Sequence, residues 1–371
     1  MRFQHIKEPE KLGSYSEEDV VFLLKDISKH IVEQDNEQRE NIMQNGGHYS
    51  EMLPIEYFPN EEYMDIFHKT LQDTKEKVAR AAAQVGELIF KEKGEKTVIV
   101  SLARAGTPIG ILIKRYLKYK YKVDIPHYSI SIIRGKGIDV NAIKYILNHH
   151  NEEGIQFVDG WTGKGAINGV LKEALEKFKR EYGIKISDKL AVLADPAYCA
   201  ELYGTREDFL IPSACLNSTV SGLMSRTVLR DDLIKDNDFH GAKFYREWLD
   251  RDLSNFFIDS ISDIFPSFCF EMSKLLTIDK NVYNHGIKEV KEIKDKYNIG
   301  DINLIKPGVG ETTRVLLRRV PWKILINDMN DPNLKHILVL AEEKQVPIEV
   351  YKNMTYSCCG LIKSKVKGNA E

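Results

Sequence analysis

The chain lacks the features that mark secreted, membrane and metal-bound proteins. Its five cysteines, Cys199, Cys215, Cys269, Cys358 and Cys359, are odd in number and show no paired metal-ligand spacing. That argues against a disulfide framework or a zinc ribbon and fits reduced thiols. No apolar run approaches the roughly 18 residues needed to cross a bilayer, and no signal-peptide pattern opens the chain, so the cytoplasm is the expected compartment, with no membrane partner. Charge of one sign is missing too: 53 basic against 55 acidic residues leave a net charge of -2, so any nucleic-acid contact must come from a local patch. Two common phosphate signatures are absent. Lys164 is followed by Gly165, which leaves no hydroxyl where a Walker A loop needs one, and no dinucleotide fingerprint stands in its place.

What is present begins with an apolar run, Ile155 to Val158, that enters Asp159-Gly160-Trp161-Thr162-Gly163-Lys164-Gly165-Ala166 and then a helical pattern. This reads as strand, anion loop and helix, because small residues let backbone amides turn inward and a helix start adds unpaired N–H groups. An ordinary strand-to-helix turn uses the same residues. A second unit of this kind runs from Thr97 to Leu102, through Ala103-Arg104-Ala105-Gly106-Thr107-Pro108, into an apolar helix to about Tyr119. Between the two, an alternating strand over Tyr128–Ile133 leads into the basic, glycine-rich Arg134-Gly135-Lys136-Gly137, which suits either a mobile loop or a solvated hairpin tip. Further strands are expected at Lys189–Leu193 and Phe209–Ile211, and a long helix from Glu61 to Lys91 within a helical first 90 or so residues. Strands alternating with helices predict a mainly parallel sheet with helices on both faces, whose ligand loops lie at the carboxyl ends of the strands.

These loops resemble the phosphoribosyl-pyrophosphate (PRPP) motif of type I phosphoribosyltransferases, with one acidic residue where that family usually has two. The resemblance implies that Asp159 meets the ribose, that Thr162, Gly163, Lys164 and Gly165 hold its phosphate, and that Arg104, Ala105 and Gly106 contact pyrophosphate. It makes Arg134 and Lys136 the cations of a catalytic loop. Magnesium would be bound mainly through PRPP oxygens. Three or four charge-assisted hydrogen bonds, at about 1.5–3 kcal/mol each, give roughly 5–10 kcal/mol for such a ligand.

A second module opens at Ile302. Helix Glu311–Arg319, strand Lys323–Ile326, helix Asn333–Lys344 and strand Pro347–Tyr351 fit a small α/β/α unit. The run Gly308-Val309-Gly310-Glu311-Thr312-Thr313-Arg314 resembles the RNA-contacting start of the Pelota-like superfamily, and Ser357-Cys358-Cys359-Gly360 its closing small-residue helix. The resemblance implies RNA contacts from Gly310, Glu311, Arg314 and Arg318. The same run also suits a helix N-terminus, where an early Glu complements the dipole.

The expected organisation is a helical region over 1–95, a phosphoribosyltransferase-like core over 96–278, a helical connector over 279–299 and a Pelota-like domain over 300–371. Nearly the whole chain resembles a bacterial family associated with tellurite resistance. The activity so implied is a PRPP-using transferase that makes or salvages a nucleoside-like metabolite in a stress response. Two alternatives stand beside it: a non-catalytic nucleotide sensor that also binds RNA, and a cysteine hydrolase with Cys215 as nucleophile and His240 as base, since relatives sometimes carry a cysteine-protease label. Homo-oligomer formation is left open.

Overall fold

The computed structural model describes residues 2–35, 38–39, 42, 45–56, 58–267 and 284–363; Cys269 lies outside them. The core is built on six strands: β1 (Val21–Phe22), β2 (Val98–Leu102), β3 (His127–Ile130), β4 (Ile155–Trp161), β5 (Leu190–Ala194) and β6 (Leu202–Thr205). They lie in the order β1-β3-β2-β4-β5-β6, and every pairing is parallel. Period-two geometry sorts their side chains between two layers. Ile99, Val158, Ala191 and Leu193 pack with helices α1 (Glu61–Lys93) and α2 (Gly106–Tyr121). Val98, Val100, Phe157, Leu190 and Val192 pack with α3 (Val140–His149) and α4 (Ala166–Tyr182). Both faces are therefore covered, which is why these strands are near-continuous apolar runs.

The mainly parallel sheet with helices on both faces, expected from the sequence, is present, with corrections in detail. Among the described residues of the first 95, only α1, capped by the Asn60 side chain, is a long helix; the two-residue strands before it are too short to carry a period. The edge strand is β6 rather than Phe209–Ile211. Those apolar residues are buried against the α1 side of the core, and Ile211 caps the short helix α5 (Pro212–Cys215). The basic segment Arg134–Lys136 is the tip of a hairpin in which Ile132–Ile133 pairs with Gly137–Ile138. Helix α6 (Ser254–Ser262) then packs on α1 and α2.

The C-terminal unit holds α7 (His285–Lys296), β7 (Ile305–Pro307), α8 (Val309–Arg318), β8 (Pro321–Ile326), α9 (Lys335–Glu343), β9 (Ile348–Val350) and β10 (Cys358–Ile362). Its sheet order is β7-β10-β8-β9. Of the small residues 357–360, expected as a helix, 358–360 instead begin the strand β10, antiparallel to both β7 and β8. For Gly360 the smallness has a packing cause: a Cβ there would lie 3.2 Å from the Val315 side chain and 3.4 Å from Thr312 Cα, so α8 rests directly on this strand. Among the described residues no helix is long and apolar enough to cross a membrane.

Gly106 marks where α2 meets the sheet. A Cβ there would stand 2.4 Å from the Val158 carbonyl oxygen and 3.0 Å from Asp159 Cα, so the helix start must be bare to pack on β4. Gly106→Ala should cost about 1–3 kcal/mol through forced backbone shifts. A urea midpoint equal to the parent's would show that the contact relaxes freely.

Candidate functional site

The carboxyl ends of β2, β4 and β5 converge, as the parallel topology requires, and the C-terminal unit covers them. Thr162, at the end of β4, donates to the buried carboxylate of Asp195, which also accepts the Ala200 N–H at 2.9 Å and pairs with Arg206. Its hydroxyl is thus engaged by the protein. Gly163 offers its carbonyl to Tyr356 Oη at 2.6 Å, and Lys164 Nζ donates to the Ile302 carbonyl at 2.7 Å, both partners coming from the C-terminal unit. Burial, then the neighbouring Lys306 and Arg134, push the Lys164 ammonium down to about 8. Gly165 precedes α4 with φ +74°, and a Cβ there would meet Cys199 Sγ at 3.3 Å.

Asp159 is partly accessible. Burial raises its pKa to about 7, against the opposing donation of the Gly160 N–H at 2.8 Å. A folded pKa above the unfolded value near 3.9 means that the ionised side chain opposes folding. The cost starts near pH 4, grows to about pH 7 and is constant above. Asp159→Asn should therefore melt above the parent at pH 8, with a smaller difference at pH 5. A gap independent of pH would show that the carboxyl titrates normally.

The first loop and the hairpin contribute cations. Arg104 Nη1 lies 3.3 Å from Glu56 and 3.1 Å from the Met224 carbonyl. The Ala105 carbonyl oxygen lies 3.1 Å from a Cβ built on Gly160, so the two loops touch. Arg134 donates its N–H to Tyr49 Oη at 2.8 Å, and Lys136 stands 3.6 Å from Glu51. Glu56, Tyr49, Asp195 and Arg226 belong to this region and were not singled out in the sequence. Nothing local marks them, because their partners lie up to 177 residues away.

The expected RNA contacts Gly310, Glu311 and Arg314 face inward. Gly310 packs on Ala214; Arg314 pairs with Glu311 at 3.0 Å, donates to the Ala214 carbonyl at 2.9 Å and lies 5.2 Å over the Trp161 ring. Gly310, Glu311, Ala214 and Trp161, with Thr162, Pro196 and Asp208, line a small cavity between the two units. The Arg318 side chain lies outside the described residues. Asp208 latches the units together, accepting the Val309 N–H and the Ser357 N–H, each at 2.9 Å. Burial raises its pKa to about 7.

Four cysteines are described, all of them buried. Burial pushes Cys199 up to about 11, Cys359 up to about 12 and Cys358 well above the usual thiol range. Cys199 Sγ also lies 3.7 Å from the Asp195 carboxylate, a neighbour that disfavours a thiolate. Cys215 ends α5, directly after the cavity-lining Ala214. His240 Nδ1 is 2.8 Å from Ser131 Oγ, in a buried network with Thr227 and Asp139.

Residues 13–262 match the family model described as tellurite-like stress resistance cysteine protease StiP. The chain belongs to this family. Residues 284–364 match the PELOTA RNA binding domain. The cysteine protease StiP of Acinetobacter baylyi is 34% identical over 369 residues, covering 96% of this chain and 95% of its own length. These matches correct the expected activity. The family and the relative are both named for a cysteine protease, so the reading as a PRPP-using phosphoribosyltransferase is overturned, and magnesium carried by PRPP loses its premise. The loops misled because a strand, a small-residue turn and a helix start look alike whether they hold an anion or pack against a neighbouring domain.

Proposed function

We propose that this chain is a cysteine-dependent hydrolase of a stress response, with Cys215 as the nucleophile and the C-terminal unit as an RNA-contacting module that covers the cleft. The observation that supports this best is the position of Cys215. It ends the helix whose Ala214 lines the inter-unit cavity, whereas Cys358 and Cys359 lie within the C-terminal sheet and Cys199 beside the Asp195 carboxylate. The family name supplies the reaction class.

In that reaction the Cys215 sulfur, after losing its proton to a base, attacks a peptide carbonyl. The C–N bond breaks, the amine leaves with a proton, and water then hydrolyses the thioester to release acid and thiol. A buried nucleophile needs the covering unit to move before a polypeptide can reach it. The test is hydrolysis of fluorescently labelled casein by the purified full chain, together with its loss on N-ethylmaleimide treatment and mapping of the alkylated peptide. Activity that survives complete alkylation of Cys215 would end this reading.

A further inference from the structure

We infer that a single strand of RNA binds along the seam between the two units, its phosphates held by Arg134 and Arg226 of the core and by Lys306 and Arg319 of the C-terminal unit. The inference rests on the reading that the C-terminal unit contacts RNA, and assigns a site that the core helps to build.

The geometry begins at Tyr49. Arg226 Nη2 donates to its carbonyl at 2.9 Å and its guanidinium lies 4.9 Å from the ring, while the guanidinium of Arg134, on the exposed hairpin tip, lies 5.9 Å from the same ring. Two cations are thus fixed around one aromatic ring. Lys164, a charge neighbour of both Arg134 and Lys306, is bound to Ile302 of the C-terminal unit. Lys306 lies in β7 just before α8, and Arg319 is exposed just after it.

These charges oppose one another. Burial lowers Arg226 to about 10, with Arg104 and Arg134 among the neighbours that add to the shift. Burial also lowers Lys306, where Arg319, Arg134 and Arg314 work against the opposing pull of Glu311. The nearby carboxylates have their own partners: Glu311 pairs with Arg314, Glu56 with Arg104, and Glu51 faces Lys136. Among the described residues no carboxylate forms an ion pair with Arg134, Lys164, Arg226, Lys306 or Arg319. A seam of like charge drawn from two units is what a polyanion relieves, by releasing its own counterions.

The number of cations favours a strand over a small phosphorylated molecule, since Arg134, Lys164 and Arg226 of the core and Lys306 and Arg319 of the C-terminal unit all meet here without a carboxylate ion pair among the described residues. Tyr49 adds a ring near which a base can stack, the usual partner of a basic groove in single-strand binding. The inward-facing Gly310, Glu311 and Arg314 do not offer such a groove by themselves, since the core covers them.

The experiment is fluorescence anisotropy of a labelled mixed-sequence single-stranded RNA, about twelve nucleotides long, with the full chain over a range of salt. Arg134→Glu and Arg319→Glu should each weaken binding at least tenfold at low salt and flatten the slope of log K against log salt, by about 0.7 for each phosphate that is no longer neutralised. Lys185→Glu, the same charge change on an exposed loop of the core, should not. If Arg319→Glu weakens binding and Arg134→Glu does not, the core is not part of the site and the inference fails while the RNA-binding module stands. If the parent binds no RNA, both fail. Complete displacement of the RNA by an equimolar amount of inorganic tripolyphosphate would reassign the cations to a small phosphorylated ligand and overturn the inference.

Discussion

Cys215→Ala should lower casein hydrolysis by at least about a thousandfold while leaving the fold intact, a loss of roughly 4 kcal/mol of transition-state stabilisation. Removing a nucleophile deletes the covalent step rather than weakening it. The fold should tolerate the change, since Ala keeps the buried, apolar character of the position and leaves α5 unbroken. Cys199→Ala is the matched comparison. Its thiol is just as buried but lies beside the Asp195 carboxylate, and its loss should leave the rate within a few-fold of the parent. A folded Cys215→Ala protein that hydrolyses casein like the parent would remove this residue from the chemistry, and a thousandfold loss in Cys199→Ala alone would move the nucleophile there.

Asp208→Ala should loosen the C-terminal unit from the core. The Val309 and Ser357 N–H groups both end on this one carboxylate, and each buried donor left without an acceptor costs about 1–3 kcal/mol. Gly308, with φ +92°, turns the chain so that the first amide of α8 points at Asp208, where the positive helix end also favours a carboxylate. Hydrogen exchange at pH 8 is the measurement. Amides of 308–312 and 357 should exchange at least tenfold faster in the variant, while the strands β2, β4 and β5 keep their protection. Equal protection at 308–312 in both proteins would show that other interactions hold the units together.

The legible part of the fold was what elementary periodicity encodes. Strands β2, β4 and β5 are apolar runs because both faces are covered, and α1 declares itself by length and by its cap. Phe209–Ile211 misled because burial beneath helices produces the same apolar signature as a strand. Residues 357–360 misled because the smallness of Gly360 answers the close approach of α8, not a helical preference. In the site, the strand-loop-helix at Asp159–Ala166 was legible as a turn, but its partners were not. Thr162 is engaged by Asp195, Gly163 by Tyr356 and Lys164 by Ile302, and no local pattern announces a contact with a domain more than a hundred residues downstream. The two nominated phosphate loops do touch, through Ala105 and Gly160, and the cations read from them face a common region. Their sequence could not say that the matching module would supply the other wall.

Because both walls of the seam belong to one chain, their meeting is a unimolecular event. Covalent tethering of this kind commonly supplies an effective concentration of about millimolar, which adds to the hydrogen bonds at Gly163, Ala214 and Asp208 and to the apolar cluster that Val309, Leu316 and Leu340 share with the core. A C-terminal unit supplied as a second chain would forgo that concentration, and cutting the chain between residues 267 and 284 would turn a standing contact into one set by dilution.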